Sequence, residues 1–451
     1  MTKLFFRFLG VTCLVILVQS CAGAPVDQVD LMPAPDVFGD GALNPLPDQA
    51  PFERIPYEGI LYATDRSPAG EEDTEAYYLN DIGQVLRVGV ADVRLGDEFM
   101  SWEEAREISL LKARTDQYPV RVAGIDEWGV LEESIPFWVN AELETAGNVP
   151  PDATARFSEA INAQLANSGR SDVYIYVHGY KVVFENPVLV ASELWHFLGY
   201  QGAFIAYSWP STPSKFAYVK DSDTSNGFAR NLRLLIETIA RDTDAEAIHI
   251  VGYSNGTRLV TRALEQLALI HHGKSREETL QATRLENVIL VGSDLDRGAF
   301  GSYVADGLLN VSEHMSIYLS QHDKALGVSQ FLTRRQRLGQ LWGDGNDGMW
   351  ESTREALETY RDQLTFINVS PAEGSQSGNG HGYFRSSPWA SSDVLMTLYY
   401  GLSPEERGLV LQEDLPIYSF PDDYIERLWQ AIEATDSTFS PIQSGEDGGH
   451  P

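Results

Sequence analysis

The sequence has little cysteine, with only two cysteines among its 451 residues. Cys13 lies within an apolar stretch near the start of the chain, and Cys21 comes just after that stretch. With no cysteine in the body of the chain, no disulfide is expected to stabilise the fold. A chain of this length can bury a core large enough to fold without one.

Basic residues are also scarce. The chain has 33 lysines and arginines against 65 aspartates and glutamates, which gives a formal net charge of −32. Such an acidic chain is a poor partner for nucleic acids and anionic surfaces, whereas an acidic surface keeps an exported protein soluble. Because hydrophobic residues make up 43% of the chain, most of it is expected to fold as an ordinary globular protein.

Two ligand-binding patterns are missing from the sequence. The histidines are scattered with no recurring ligand spacing, so no metal site is expected. No phosphate-binding glycine loop follows the first strand of the core, which disfavours nucleotide-binding and dehydrogenase functions. The sequence therefore predicts neither a metal nor an organic cofactor.

The first twenty residues are typical of a secretory signal, because a short basic region precedes an apolar stretch, 8–18, that is too short to span a bilayer comfortably. Leu17 to Cys21 resemble the lipobox of a bacterial lipoprotein, where cleavage leaves an acylated cysteine at the N-terminus. Acylation of Cys21 would hold the protein on the membrane without a spanning helix. We therefore expect a cell-envelope protein with its domain on the extracytoplasmic side. The alternatives are an ordinary signal peptide that contains cysteine and an uncleaved anchor.

Composition divides the rest of the chain into three parts. Residues 21–52 are rich in Pro, Asp, Gly and Ala without a sustained period, which predicts a flexible tether that spaces the domain from the membrane. Residues 53–435 are expected to form one domain, with a strand-rich extension up to about Val149 and helical structure over 403–435. Residues 436–451 are polar and glycine-rich, and are expected to be disordered.

Beyond Pro150, apolar β-branched runs alternate with amphipathic stretches of helical length. This alternation predicts an α/β fold with a mostly parallel sheet and helices on both faces. Such a sheet places ligand sites at the carboxyl ends of its strands. Helices are expected over 153–167, 187–198, 226–242, 256–270, 324–341 and 391–400.

A serine flanked by glycines lies where a strand should turn into a helix. Gly252–Gly256, with the sequence GYSNG, follows the apolar run 247–251 and precedes the helical stretch 257–264. In a nucleophile elbow the serine occupies a strained turn, and side chains in place of the glycines would collide with the neighbouring strand or helix. This context predicts that Ser254 is a nucleophile, whereas the bare motif is also found in ordinary glycine-rich turns.

The strands after Ser254 end in the acids and the histidine that a serine nucleophile needs. Asp294, Asp296 and Asp323 each follow a later strand, and His381 lies between two glycines after the last one. The order Ser, Asp, His is that of α/β-hydrolases. By strand order Asp323 is the best candidate for the acid, although Asp294 and Asp296 stay open and are also suited to capping a helix. The alternative for His381 is a surface histidine.

The first core strand, Tyr174–Val177, leads into His178-Gly179-Tyr180, where α/β-hydrolases keep one donor of the oxyanion hole. The backbone N–H groups of Tyr180 and Asn255 are therefore expected to face the developing oxyanion. His178 is interpreted as a structural residue that fixes this loop.

The loop Ser208–Ser211, with the sequence SWPS, follows the second core strand. Trp209 is accordingly a candidate for lining the substrate pocket at the rim of the site. The alternative is a rigid turn fixed by Pro210, with Trp209 in the core.

From about Tyr62 to Asp393, several short motifs in a fixed order resemble a bacterial family of predicted α/β-hydrolases, esterase- or lipase-like and without an assigned function. The resemblance implies that Ser254, Asp323 and His381 form a catalytic triad. The motifs that carry the resemblance are Tyr62–Arg66, Val177–Tyr180, Ser208–Ser211, Tyr318–Ser320 leading to Asp323, and Gly380–Phe384.

The chain departs from that family around the nucleophile. The family usually has histidine before the serine and methionine-glycine after it, whereas this chain has Tyr253, Asn255 and Gly256. Since residue 255 contributes its backbone N–H, the change leaves the expected oxyanion hole in place but alters the pocket. Arg66, another family residue, is open between a structural ion-pair partner and a substrate anchor.

Together these patterns predict a membrane-tethered serine hydrolase, most simply a carboxylesterase, that acts on a small-molecule or lipid ester through an acyl-enzyme on Ser254. A thioesterase or an amidase with the same triad is an alternative, because the triad serves all three bonds. So is a non-catalytic envelope lipoprotein that uses the hydrolase scaffold for binding.

Overall fold

A twelve-stranded sheet runs through the computed structural model, which describes residues 27–50, 59–70, 73, 76–97, 99–139, 152–214, 221, 224–225, 227–340, 355, 358–413 and 416–435. Its strands are β1 (Gln28–Asp30), β2 (Ile60–Pro68), β3 (Tyr78–Leu95), β4 (Pro119–Val130), β5 (Asp172–Val177), β6 (Ala203–Ser208), β7 (Ala247–Tyr253), β8 (Leu285–Val291), β9 (His314–Leu319), β10 (Leu364–Asn368), β11 (Val410–Leu411) and β12 (Tyr418–Ser419).

Helices cover both faces of this sheet. They are α1 (Trp102–Ser109), α2 (Ala153–Asn167), α3 (Glu185–Phe197), α4 (Ala229–Asp242), α5 (Gly256–Ile270), α6 (Arg276–Thr283), α7 (Arg297–Ala305), α8 (Lys324–Thr333), α9 (Tyr383–Ser386), α10 (Pro388–Tyr400) and α11 (Tyr424–Thr435).

The strands are ordered β1-β4-β3-β2-β6-β5-β7-β8-β9-β10-β12-β11. The stretch from β2 to β12 is parallel, while β1, β4, β3 and β2 pair antiparallel at one side. The parallel strands are apolar almost throughout because both faces are covered: α3, α10 and α11 pack on one face, and α2, α4 and α5 on the other. The predicted α/β fold with a mostly parallel sheet is confirmed.

The expectation of a flexible tether over 21–52 is wrong for residues 28–50. β1 pairs with β4, and the residues after it are buried, including Leu31, Met32, Val37 and Phe38. The apolar residues of this segment belong to the same buried cluster as residues of α3, α10 and α11, and β1 and the short 3₁₀ helix Asp36–Gly41 contact these helices. Residues 21–26 and 51–52, like the predicted signal over 1–20 and the predicted tail over 436–451, lie outside the described residues.

Two helix predictions in the second half of the chain need correction. The helix expected over 324–341 ends at Thr333, because Arg334 adopts a left-handed conformation with φ of 56°. Of the helical structure expected over 403–435, the described residues 403–413 and 416–435 form only α11, preceded by the short strands β11 and β12. Among the residues that the structure describes, no helix combines the length and the apolar character needed to cross a membrane.

Candidate active site

Ser254 occupies a strained turn between β7 and α5. Its φ is +53°, a left-handed conformation that residues other than glycine rarely adopt. The turn is held on both sides, because the Ser254 N–H donates to the Val291 carbonyl at 2.9 Å and the Thr257 hydroxyl donates to the Ser254 carbonyl at 2.6 Å. The local geometry is therefore that of a nucleophile elbow.

The glycines beside this serine are required by close packing. A Cβ at Gly256 would lie 2.2 Å from the His178 carbonyl oxygen and 2.7 Å from that of Val177. At Gly252 a Cβ would press on Val260 at 3.1 Å. The two glycines allow α5 to start directly against β5 and β7.

Ser254, His381 and Asp323 form one chain of hydrogen bonds. The Ser254 Oγ lies 2.7 Å from His381 Nε2, and His381 Nδ1 lies 2.6 Å from Asp323 Oδ2. The other oxygen of Asp323 accepts the Leu326 N–H at 2.9 Å and so caps α8. All three residues are buried, with 4%, 7% and 5% of their surfaces exposed. The structure brings together the three residues expected to act as nucleophile, base and acid.

The position of His381 depends on two residues that the sequence analysis did not identify. Gly292 has φ of +55°, and a Cβ there would lie 3.0 Å from His381 Cε1. The Tyr383 hydroxyl accepts the Gly292 N–H at 2.8 Å and donates to the Tyr318 carbonyl at 3.1 Å. Tyr383 belongs to the motif Gly380–Phe384, which by itself assigns it no role. The only sequence signal for Gly292 is that it is a glycine directly after a strand. The ring of Tyr253 packs on the imidazole of His381, with centroids 5.0 Å apart.

The electrostatic surroundings of His381 favour its charged form. Burial by itself lowers the pKa of this imidazole, but the charge and hydrogen bond of Asp323, together with the charge of Asp294, outweigh it. The pKa of His381 is therefore raised above its ordinary value of 6.5. Asp323 thus stabilises the imidazolium that forms when the histidine takes a proton.

This raised pKa predicts an acid limb in the pH profile of catalysis. His381 accepts a proton only when neutral, so kcat/KM should fall as the pH drops below the folded-state pKa, with a midpoint above 6.5. Steady-state rates with an uncharged ester between about pH 5 and pH 9 measure this midpoint. An acid limb centred well below 6.5 would contradict the proposed environment of His381.

Asp294 and Asp296, the other candidates for the acid, have other side-chain partners, whereas the hydrogen bond to His381 Nδ1 comes from Asp323. The Asp296 side chain accepts the Ala299 N–H at 3.0 Å and so caps α7. Helix capping was the alternative role predicted for this residue. Asp294 accepts the Ser329 hydroxyl at 2.5 Å and faces the guanidinium groups of Arg258 and Arg337.

The loop after β5 lies directly against the nucleophile. A Cβ at Gly179 would be 2.8 Å from the Ser254 Cβ, so there is no room for a side chain between them. Tyr180 follows in this loop and is half-buried, and Asn255 stands at the N-terminus of α5. Backbone N–H groups at a helix N-terminus favour negative charge. The two residues expected to supply oxyanion donors therefore flank Ser254 in the fold.

Trp209 does not line a pocket, and that expectation is wrong. The indole is fully buried and stacks on His178 with ring centroids 5.1 Å apart, and its N–H donates to the His178 carbonyl at 2.7 Å. The ring nitrogens of His178 face the carbonyls of Gly179 and Trp209 at 2.6 and 3.1 Å. Burial, followed by the charge of Arg66, holds the pKa of His178 well below 6.5. Both residues fix the loop beside Ser254.

Arg66 braces the same loop from inside the protein. It is fully buried, its Nη2 donates to the Val182 carbonyl at 2.9 Å, and its Nε donates to the Ser208 hydroxyl at 2.9 Å. A third contact joins Nη1 to Asn80 Oδ1 at 2.5 Å. Burial lowers the pKa of Arg66 to about 9. Arg66 is thus a structural residue without access to a substrate.

A cavity of about 1020 Å³ lies away from this site, at the amino ends of β7 and β8, where Thr243, Arg284 and Glu313 contribute to its lining. Ser254 stands at the opposite, carboxyl end of β7, so the cavity has no part in its chemistry. Within the described ranges, no three His, Cys, Asp or Glu side chains are grouped so that they could hold a metal ion.

Comparison with known proteins places the fold. No curated protein matches the chain. A solved structure that is similar is Thermogutta terrifontis esterase 2 phosphoramylated by tabun, at 14% identity over 52% of this chain and 83% of that chain. Its TM-score of 0.28 is too low for the likeness to carry weight. A family described as "Alpha/beta hydrolase of unknown function (DUF900)" matches residues 153–397, just over half of the chain. The chain therefore belongs to this family of α/β hydrolases.

Proposed function

We propose that this protein is a serine hydrolase that cleaves carboxylic esters through an acyl-enzyme on Ser254. The observation that carries the proposal is the hydrogen-bonded chain from Ser254 through His381 to Asp323, set on a strained strand-to-helix turn. A serine hydroxyl is a poor nucleophile at neutral pH and needs an adjacent base that a third group orients. These three residues have the contacts that such activation requires.

In the first half of the reaction, His381 Nε2 takes the proton of the Ser254 hydroxyl as the oxygen attacks the ester carbonyl. The tetrahedral oxyanion faces the backbone N–H groups of Asn255 and Tyr180, and each such donor contributes about 3 kcal/mol of transition-state stabilisation. Asp323 keeps the proton of the neutral imidazole on Nδ1 and stabilises the imidazolium. His381 then gives its proton to the leaving alcohol as the carbon–oxygen bond breaks, which leaves the acyl group on Ser254.

In the second half, His381 removes a proton from water as the water attacks the acyl carbonyl. Collapse of the second tetrahedral intermediate releases the carboxylic acid, and Ser254 recovers its proton from His381. The same groups serve thioesters and amides, so a panel with one acyl group and different leaving groups decides among the three bonds.

We also propose that an acylated Cys21, which lies outside the described residues, fixes the protein to the membrane of the cell envelope.

Labelling with a fluorophosphonate tests the nucleophile without a guess about the substrate. Protein that begins at residue 22, and so lacks the predicted signal and acylation site, should gain one adduct by intact-mass measurement. Ser254→Ala and His381→Ala should abolish it, because they remove the nucleophile and its base. His322→Ala is the matched control, since His322 neighbours Asp323 in sequence but contacts Gln321 rather than the serine.

Retained labelling in Ser254→Ala would refute the assignment of the nucleophile. A parent protein that gains no adduct, under conditions that label a known serine hydrolase, would favour the alternative of a non-catalytic binding protein on the same scaffold.

A further inference from the structure

Two loops carry the base and the acid of the candidate site. His381 lies in the loop 369–382 after β10, and Asp323 ends the loop 320–323 between β9 and α8. The hydrogen bond between their side chains is 2.6 Å long, so a small shift of either loop would change it. The relative position of the two loops therefore decides whether His381 meets both Asp323 and Ser254.

Two hydrogen bonds join the loops. The Lys324 N–H, directly after the acid, donates to the Asn379 carbonyl at 3.1 Å. The Gln321 N–H donates to the Ser370 hydroxyl oxygen at 3.0 Å. The short loop 320–323 is thus fixed to the longer loop near both of its ends.

The loops also touch with no room for a side chain between them. Gly380 has φ of +69°, a left-handed conformation that suits glycine. A Cβ there would lie 2.3 Å from the His322 carbonyl oxygen and 2.8 Å from the carbon of that carbonyl. Gly380 therefore allows the main chain beside His381 to lie directly on the main chain beside Asp323.

The side chain of Asn379 extends this contact to the histidine. Its Oδ1 accepts the His381 N–H at 3.1 Å, which closes an Asx turn over residues 379–381. The carbonyl of the same residue accepts the Lys324 N–H. Asn379 is therefore bonded to the main chain of the base and to the residue that follows the acid.

This contact acts on the main chain of His381, whereas other neighbours act on its ring. The Tyr253 ring and the close approach of Gly292 limit where the imidazole can lie. Asn379 sets the main-chain position from which the side chain starts. If the main chain rotates, both ring nitrogens move away from their partners at once.

We propose that Asn379 is a positioning residue, which holds the main chain of His381 against the loop of Asp323 so that the imidazole reaches Ser254 and Asp323 together. The inference rests on the proposed serine hydrolase. A misplacement on the order of 1 Å can cost about 10²-fold in rate. Loss of the Asn379 side chain should therefore be visible in catalysis, although this residue acts only through His381.

Asn379→Ala and Asn379→Asp test this role in protein that begins at residue 22. Aspartate keeps an oxygen that can accept the His381 N–H, and alanine does not. The second-order rate of fluorophosphonate labelling, measured on the alkaline plateau of the pH profile, should fall about 10- to 100-fold in Asn379→Ala. Asn379→Asp should stay within about threefold of the parent protein, because the turn is retained.

Asn44→Ala is the matched control. Asn44 Oδ1 accepts the Leu46 N–H at 3.0 Å in the same kind of turn. The neighbouring Pro45 packs on Gly199, beyond the end of α3, whereas the start of α3 follows the loop beside Ser254. This variant loses an equivalent hydrogen bond far from the site and should be labelled at the parental rate.

The extent of labelling separates positioning from loss of folded protein. Since Ser254 is intact in Asn379→Ala, the adduct should still reach one per chain, only more slowly. An extent that falls in proportion to the rate would mean that part of the protein is unfolded, and would overturn the positioning role. So would Asn379→Ala labelled at the parental rate, or Asn379→Asp labelled as slowly as Asn379→Ala. A parent protein without an adduct would instead refute the serine hydrolase, and this inference with it.

Steady-state hydrolysis of 4-nitrophenyl acetate gives a second readout. Acylation and deacylation both use His381, so kcat should fall about 10- to 100-fold in Asn379→Ala while KM stays within about twofold. A raised KM at unchanged kcat would assign Asn379 to substrate binding and contradict the positioning role.

Discussion

Asp323→Asn should lower kcat on the order of 10⁴-fold while the protein stays folded, which is the loss that the equivalent change causes in serine proteases. The amide oxygen can still accept the Leu326 N–H, so the cap on α8 is retained. The amide NH₂ would instead face His381 Nδ1. The imidazole then carries its proton on Nε2, where it cannot accept the proton of Ser254. Steady-state kinetics, with circular dichroism as the check on folding, measure the effect.

The same substitution should also shift the pH profile. Without the carboxylate, burial is left as the larger influence and lowers the pKa of His381, so the acid limb of the residual activity should move to lower pH. This shift separates a change in the histidine from general damage to the fold.

Asp296→Asn and Asp294→Asn are the matched controls, because both residues follow a strand after the nucleophile. Asp296→Asn keeps the cap on α7 and should change kcat by less than about tenfold, as a cap substitution acts on stability. Asp294→Asn removes a charge that faces Arg258 and Arg337, so its main effect should be on Tm. A larger kcat loss in either control than in Asp323→Asn would show that the acid is misassigned.

Deletion of the chain up to Pro47 should unfold or strongly destabilise the domain. Leu31, Met32, Val37, Phe38 and Leu46 are all at most 5% exposed. Burial of each contributes about 1.5–3 kcal/mol, so together they approach the whole stability of an ordinary domain, about 5–15 kcal/mol. The entropy of ordering the segment offsets part of this. A fall in Tm on the order of 10 °C, or insoluble protein, is the expected result.

The deletion also reaches the candidate site. The Arg385 guanidinium, four residues after His381, donates to Glu193 at 2.8 Å and to the Asp30 carbonyl at 3.2 Å. Labelling by fluorophosphonate should therefore be lost in a chain that starts at Asp48 and kept in one that starts at Ala22. Phe38→Ala, with an expected loss of about 3–5 kcal/mol, tests the packing without removing β1. Equal Tm values and equal labelling rates for the chains that start at Ala22 and at Asp48 would contradict the conclusion that the segment before Asp48 packs against the domain and stabilises it.

The parts of the fold that the sequence predicts well are those with a regular period. The parallel strands are apolar on both faces, and α2 and α5 run over the expected residues 153–167 and 256–270. The site follows from the same regularity, because the ends of successive parallel strands meet at one edge. The placement of Ser254, His381 and Asp323 is therefore readable from strand order.

The rest depends on contacts that have no local signal. Val37 and Phe38 lie in a segment rich in Pro and Asp, and their place in the core is evident only from the residues that pack around them in the folded domain. Trp209 follows a strand as a pocket residue would, but its indole is held by the carbonyl of His178. At Arg334, a left-handed residue ends α8 without the glycine that usually marks such an end.

Peptide mapping of the fluorophosphonate adduct tests the central claim most directly. Trypsin should release residues 242–258, in which Ser254 is the single serine. We predict that tandem mass spectrometry places the adduct on this peptide, at Ser254, and that the labelled fraction equals the inhibited fraction of esterase activity. An adduct on a different peptide, or full activity in protein that carries the adduct at Ser254, would contradict the assignment of Ser254 as the nucleophile.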